Sequence, residues 1–166
     1  MIPPVGAAFG QRRMADLRHA IRLTVAATLD RLPALLEAVG EVCDAAGTDA
    51  STRHDLRLAV EEACVNVMRH AYRDREPGEL TLDVAHAPWQ GVPAIRVLVQ
   101  DHGMPFDPLQ LAAPQLGTEA EQLSIGGLGV HQMRQVVDVL RYHHDAATGN
   151  NLMLVKYMNR GQGERA

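Results

Sequence analysis

Cysteine is scarce. Cys43 and Cys64 are the only two in 166 residues, with no C-x-x-C pair and no Cys/His spacing beside them, so neither a disulfide framework nor a structural zinc site is supported. Both fall in segments that read as helical, Cys64 on an apolar side, and are expected as small core residues in a reducing compartment. An excess of positive charge is missing too. Sixteen Lys and Arg against twenty Asp and Glu give a net charge of −4, which removes the electrostatic case for nucleic acid. Nowhere do about 18 apolar residues run together, which excludes an ordinary membrane-spanning helix. The opening M-I-P-P-V-G-A-A-F-G-Q-R-R lacks a basic region followed by an unbroken apolar run, so no signal peptide is expected and the expected location is the cytoplasm. No internal repeat, low-complexity tract or βαβαβ alternation is present, and the last absence argues against a doubly wound sheet.

What is present suits one soluble domain: 46% hydrophobic and 22% charged residues in a length that buries a single substantial core. Residues 1–16 read as a loose leader and 159–166 as a frayed tail, leaving 17–158 as the domain. Ile21, Leu23 and Val25 alternate within an edge strand over 17–29. Asp30 is expected to cap a helix carrying Leu32, Leu35, Leu36, Val39 and Val42, which Gly47 ends. Ser51 or Thr52 is expected to open the next helix, whose residues Leu56, Val60, Ala63, Cys64, Val67 and Ala71 share one face before Pro77 and Gly78. Period-two strands then follow at 79–84 and 94–100. After a Gly/Pro-rich stretch over 102–127 come a short helix and two strands, 139–143 and 152–157. Strands at both ends of the order with helices between describe an α+β two-layer sandwich, its mostly antiparallel sheet covered by helices on one face.

Three short motifs carry chemistry. Glu62 and Asn66 lie four apart on the flank of the central helix, where a carboxylate and a carboxamide stack one turn apart. Asn66 can offer a neutral oxygen to a hard cation such as Mg²⁺, and Glu62 can act as a general base. The polar edge of any helix can also carry such a pair. In Q-D-H-G-M-P-F-D, Asp101 ends a buried strand and can accept from an amino group of a flat ligand, while Gly103 allows close approach; D-x-G is equally a common turn. In I-G-G-L-G-V-H-Q-M-R, closely spaced glycines lead into a helix whose free N–H groups suit a phosphate, although glycines also simply bend loops.

In this order the three motifs resemble the N, G1 and G2 boxes of the Bergerat-fold ATPases, the histidine-kinase-like superfamily, and most closely the anti-sigma-factor serine/threonine protein kinases. E-A-x-x-N-x-x-x-H-A-Y corresponds to Glu62–Tyr72, D-x-G-x-P-F-D-P to Asp101–Pro108, and G-G-L-G to Gly126–Gly129. V-D-x-x-x-Y and N-x-L-x-L-V-K correspond to Val137–Tyr142 and Asn150–Lys156. The resemblance implies a Bergerat ATPase fold that binds ATP and Mg²⁺. Asn66 would be the Mg²⁺ ligand, Glu62 the catalytic base, and Asp101 the acceptor of the adenine amino group. Gly103 would lie beside the adenine, with Gly127, Leu128 and Gly129 along the phosphates. Arg69 falls where many histidine kinases place a basic phosphate contact, and is otherwise a solvated surface residue. His70 and Tyr72 would serve packing or hydrogen bonding, and His143 and His144 the surface.

The implied function is phosphorylation of a STAS-domain anti-anti-sigma protein and sequestration of a sigma factor, with a possible homodimer and no nucleic-acid or membrane partner. Three departures from the family pattern stand out. Pro105 replaces the second G1 glycine. No Lys or Arg lies between Arg96 and Arg134, so the lid over 108–125 has no cation for a γ-phosphate. Met153 stands where relatives often carry a hydroxyl that supports adenine through water. These leave a second reading, a nucleotide-binding partner-switch module that sequesters a regulatory protein without turnover.

Overall fold

The computed structural model describes residues 18–110 and 127–158. The leader, the tail, Gly126 and all of the lid beyond Gln110 lie outside the described residues.

Five strands form one sheet in the order β1-β2-β3-β5-β4, every neighbouring pair antiparallel. They are β1 (Arg18–Ala26), β2 (Glu79–His86), β3 (Ala94–Asp101), β4 (Val139–Asp145) and β5 (Gly149–Tyr157). Helices α1 (Leu32–Ala46), α2 (Ala50–Asn66) and α3 (Gly127–Val136) complete the described elements longer than one or two turns. The two-layer α+β architecture is as the sequence implies, and the reason lies in the strand period. Leu80, Leu82 and Val84 of β2, Ile95, Val97 and Val99 of β3, and Leu154 of β5 join Leu35, Val39 and Val42 of α1 and Leu56, Val60 and Cys64 of α2 in the main core. Lys156 of β5 ties the layers at one end, its ammonium 2.8 Å from Asp55 of α2 and 2.7 Å from the Val136 carbonyl of α3.

Residues of opposite parity face away from the helices. There Trp89, Ala94, Leu98, Met153 and Val155 form a second, smaller cluster, and the guanidinium groups of Arg96 and Arg141 lie 5.3 and 5.1 Å from the Trp89 ring centre. This corrects the placement of Met153 beside the adenine position. Strand alternation sends Met153 to the outer face, and the neighbours that point inward are Asn150 and Leu152.

Two helix starts also differ from expectation. Asp30 lies within a single 3-10 turn, Leu29–Arg31, so α1 begins after it at Leu32 with Pro33 in its first turn. The second helix is capped by Asp49, whose carboxylate accepts from the Thr52 N–H at 2.6 Å, rather than by Ser51 or Thr52.

Candidate functional site

The central helix does not run as a plain α-helix to Tyr72. It winds as α-helix to Asn66 and then widens into a π turn over Val67–Ala71. The wider turn carries His70 and Ala71 into the wall of a cleft and turns the Ala71 carbonyl outward to accept the Met104 N–H at 2.8 Å. Gly103 packs directly on Ala71. A methyl there would stand 2.5 Å from the Ala71 Cβ and 2.7 Å from its carbonyl carbon, so the loop after Asp101 reaches the helix only because residue 103 has no side chain. Tyr72 closes the junction: its hydroxyl donates to the Glu79 carbonyl at 2.9 Å and accepts the His102 N–H at 3.0 Å.

The cleft opens to solvent at its mouth and is walled mainly by apolar groups. Ala63, Val67, Val99, Met133 and Leu152 form its floor and sides, Met104 and Phe106 its rim, and Asn66, His70, Asp101, Tyr142 and Asn150 supply its polar groups. Such a chamber suits a flat, largely apolar ring with a polar edge. Asn66 makes no side-chain hydrogen bond among the described residues, so its amide is open to the cleft. For His70, burial and the charges of Arg73 and Arg69 lower the imidazole pKa, favouring a neutral ring at pH 7.

Asp101 is the polar centre. It is 5% exposed, and its Oδ1 accepts from the Gly103 N–H and from Asn150 Nδ2, each at 2.8 Å. Its Oδ2 has no protein partner among the described residues. Burial raises the carboxyl pKa, opposed by the hydrogen bonds from Asn150 and Gly103 and by His102 and His144. Asn150 is the residue that the sequence left without a role, although it begins a motif. It lies directly opposite Asp101 in the β3–β5 register, a fact of strand pairing that spacing along the chain could not reveal. His144, expected as a bystander, is exposed but sits opposite Asn150 and makes a 3.0 Å bond to its Oδ1.

Glu62 and Asn66 project from successive turns of α2, Asn66 into the cleft and Glu62 toward the start of α3. The Glu62 carboxylate lies against Gly129, where any Cβ would overlap it. Burial, and the neighbouring Glu61, raise the Glu62 pKa, while Arg69 pulls it down. Arg69 itself is exposed on the π turn and does not line the cleft. Gly127 is buried as the first residue of α3, and Leu128 is 51% exposed beside it. The fold thus brings Asn66 and Asp101 together in the cleft, with Gly103 bonded to Asp101, and sets Glu62 against Gly129 at the start of α3, while Arg69 acts on Glu62 through its charge alone. Arg134, further along α3, directs its guanidinium to the Leu109 and Pro108 carbonyls, holding the strap that follows Gly103.

A family model described as the histidine kinase-like ATPase domain matches residues 25–156. Among characterised proteins, the serine-protein kinase RsbW of Listeria innocua serovar 6a is 27% identical over 155 residues, covering 91% of this chain and 95% of that protein. The serine-protein kinase RsbW of Bacillus subtilis (strain 168) is 34% identical over 118 residues, covering 67% of this chain and 66% of that protein. Among solved structures, the RsbU and RsbW domains of Rv1364c from Mycobacterium tuberculosis superimpose with a TM-score of 0.60 at 20% identity. The match covers 86% of this chain and 33% of that longer one, and it is a likeness of fold.

Proposed function

Because this chain belongs to the histidine kinase-like ATPase domain family, we propose that it is an ATP- and Mg²⁺-dependent serine/threonine protein kinase acting as an anti-sigma factor. Its phosphoacceptor would be a STAS-domain anti-anti-sigma protein and its captive a sigma factor, as the sequence resemblance implies, and the name of the relatives, serine-protein kinase, supports transfer to a serine. One observation carries the nucleotide reading: a buried carboxylate in an apolar cleft, with one oxygen saturated by protein donors and the other open to a ligand. That is an acceptor for an exocyclic amino group on a flat base.

The remaining residues follow from where such a base would leave its phosphates. Gly127 to Gly129 open a ten-residue helix, whose first N–H groups are free of intrahelical partners and favour anionic oxygens. Asn66 would hold Mg²⁺. Among the described residues no group of three or more His, Cys, Asp or Glu could cage a metal, which fits an ion that takes one protein oxygen and draws its other ligands from phosphate and water. When bound, the ion neutralises charge on the phosphates. Glu62, with its raised proton affinity, would accept the proton of the substrate hydroxyl as that oxygen bonds to the γ-phosphorus and the bond to the β-phosphate oxygen breaks. Arg69 would contribute positive charge beside Glu62.

The deciding experiment incubates the full chain with γ-labelled ATP, Mg²⁺ and its cognate STAS-domain protein. Label on a serine or threonine of that protein is expected; ATP binding without label would overturn the kinase assignment. A specific pair of observations favours the second reading, a non-catalytic partner switch. No Lys or Arg stands between Arg96 and Arg134, and the Arg134 guanidinium is engaged by strap carbonyls. On that reading the chain binds nucleotide and partner but leaves the partner unlabelled.

A further inference from the structure

The hydrogen bonds around Asn150 form a closed set. Its Nδ2 faces three oxygens: Asp101 Oδ1 at 2.8 Å and the carbonyls of Gly103 and Met104, both at 3.3 Å. Three acceptors on that side require the NH₂ group there, so the carboxamide cannot be reversed without setting oxygen against oxygen. The Oδ1 atom then faces Tyr142, whose hydroxyl donates to it at 2.7 Å, and His144 Nδ1 at 3.0 Å, which must carry the ring proton to donate as well. Tyr142 is held in turn, because its oxygen accepts the Phe106 N–H at 3.2 Å. The chain Phe106–Tyr142–Asn150–Asp101 therefore runs from the strap at the cleft rim to the carboxylate at its centre.

We infer that Asn150, locked by Tyr142 and His144, is the positioning residue that keeps Asp101 a pure hydrogen-bond acceptor toward the cleft. It thereby selects a purine with an exocyclic amino group over one with a carbonyl at the same place. The inference rests on the nucleotide reading above and adds to it the source of base specificity. An ionised Asp101 offers its open Oδ2 only as an acceptor, which pairs with an amino group and repels a carbonyl oxygen. A protonated Asp101 could place its hydrogen on Oδ2 and accommodate the carbonyl. Burial pushes toward the protonated form, and the Asn150 amide, bonded to Oδ1 at 2.8 Å, opposes it most, followed by the Gly103 N–H. The other titratable groups around Asp101 are His102 beside it, His144 and Tyr142 from β4, and His70 and Tyr72 from the end of the central helix.

The test measures ADP and GDP binding to the full chain by calorimetry across a pH series, in wild type, N150A, N150T and Y142F. Wild type is expected to prefer ADP. N150A should reduce the ADP/GDP ratio about tenfold or more, the scale of a hydrogen bond to a charged group. It should also move the acid limb of ADP binding to higher pH, since Asp101 would protonate sooner. N150T, which keeps one donor, should recover part of both effects. Y142F, which unlocks the amide and also releases the Phe106 N–H, should lower the ratio about two- to tenfold. A purely structural role would weaken both nucleotides alike and leave the pH limb in place. If N150A does not fold, N150T and Y142F carry the same comparison. ADP binding by wild type with an unchanged ratio and pH limb in the folded variants overturns the inference alone. No ADP binding by wild type overturns the proposed function and the inference with it.

Discussion

Glu62 combines burial, a carboxylate neighbour and a glycine at its tip, and each bears on proton transfer. The first two raise its proton affinity, and Gly129 leaves the carboxylate room beside the start of α3. E62Q keeps the shape and removes the base, so phosphoryl transfer should fall by about 10² to 10⁴ while ATP affinity stays nearly unchanged. Equal transfer by E62Q and wild type in a labelled-ATP assay would remove Glu62 from the chemistry. Asp101 answers to a different measurement. D101N replaces one acceptor oxygen with a donor, and adenine nucleotide binding should weaken by about 1.5 to 3 kcal/mol. Calorimetry giving an unaltered affinity would take Asp101 out of the base site.

At the scale of elements, the π turn and the β4–β5 hairpin each depend on a small number of polar contacts. The π turn, Val67–Ala71, is tied to the Asp101–Gly103 loop through the Ala71 carbonyl and to β2 through the Tyr72 hydroxyl. Y72F leaves the Glu79 carbonyl and the His102 N–H, both on exposed residues, to water. It should cost about 0.5 to 1.5 kcal/mol in urea denaturation; no loss of stability would mean the clamp is idle. In the hairpin, Asp145 accepts from the Thr148 hydroxyl and from the Thr148 and Ala147 N–H groups, which lower its pKa from an ordinary 3.8 to about 2. A carboxylate whose folded value lies below its unfolded value contributes stability that is present above the unfolded value and lost as pH falls through the folded one. The melting-temperature gap between wild type and D145A should therefore be steady above 3.8 and close as pH falls toward about 2. A gap that persists to the acid end would contradict this.

On the scale of the molecule, the sheet separates structure from site by its two faces. Val25, Leu80, Asp101, Asn150 and His144 form one row across the helix-covered side. The row Arg22, Asp83, Leu98, Met153 and Arg141 faces the other way. M153A removes a fully buried side chain from the Trp89 cluster and should cost about 2 to 5 kcal/mol of stability. The ADP affinity of the folded protein should not change. L152A removes part of the cleft wall and should weaken ADP binding by about 1 kcal/mol. The opposite pattern, with binding lost in M153A and kept in L152A, would reverse the assignment of faces.

The sequence by itself determined the layered fold and the candidate residues. Periodicity is local: period two in β2 and β3, period 3.6 in α1 and α2, and glycines before α3 follow from residues within a few positions of one another. So does the stacking of Glu62 with Asn66. What only the tertiary structure decided depends on pairs far apart in the chain. The register that sets Asn150 against Asp101, forty-nine residues away, turns a motif residue into the partner of the carboxylate and sends Met153 to the far face. The π turn after Asn66 was settled by contacts that spacing does not encode, among them the fit of Gly103 on Ala71, whereas the Asp49 cap lies three residues from Thr52 and was within reach of a local reading. A one-residue change of strand parity exchanges core for surface, and that parity is fixed by pairing between strands.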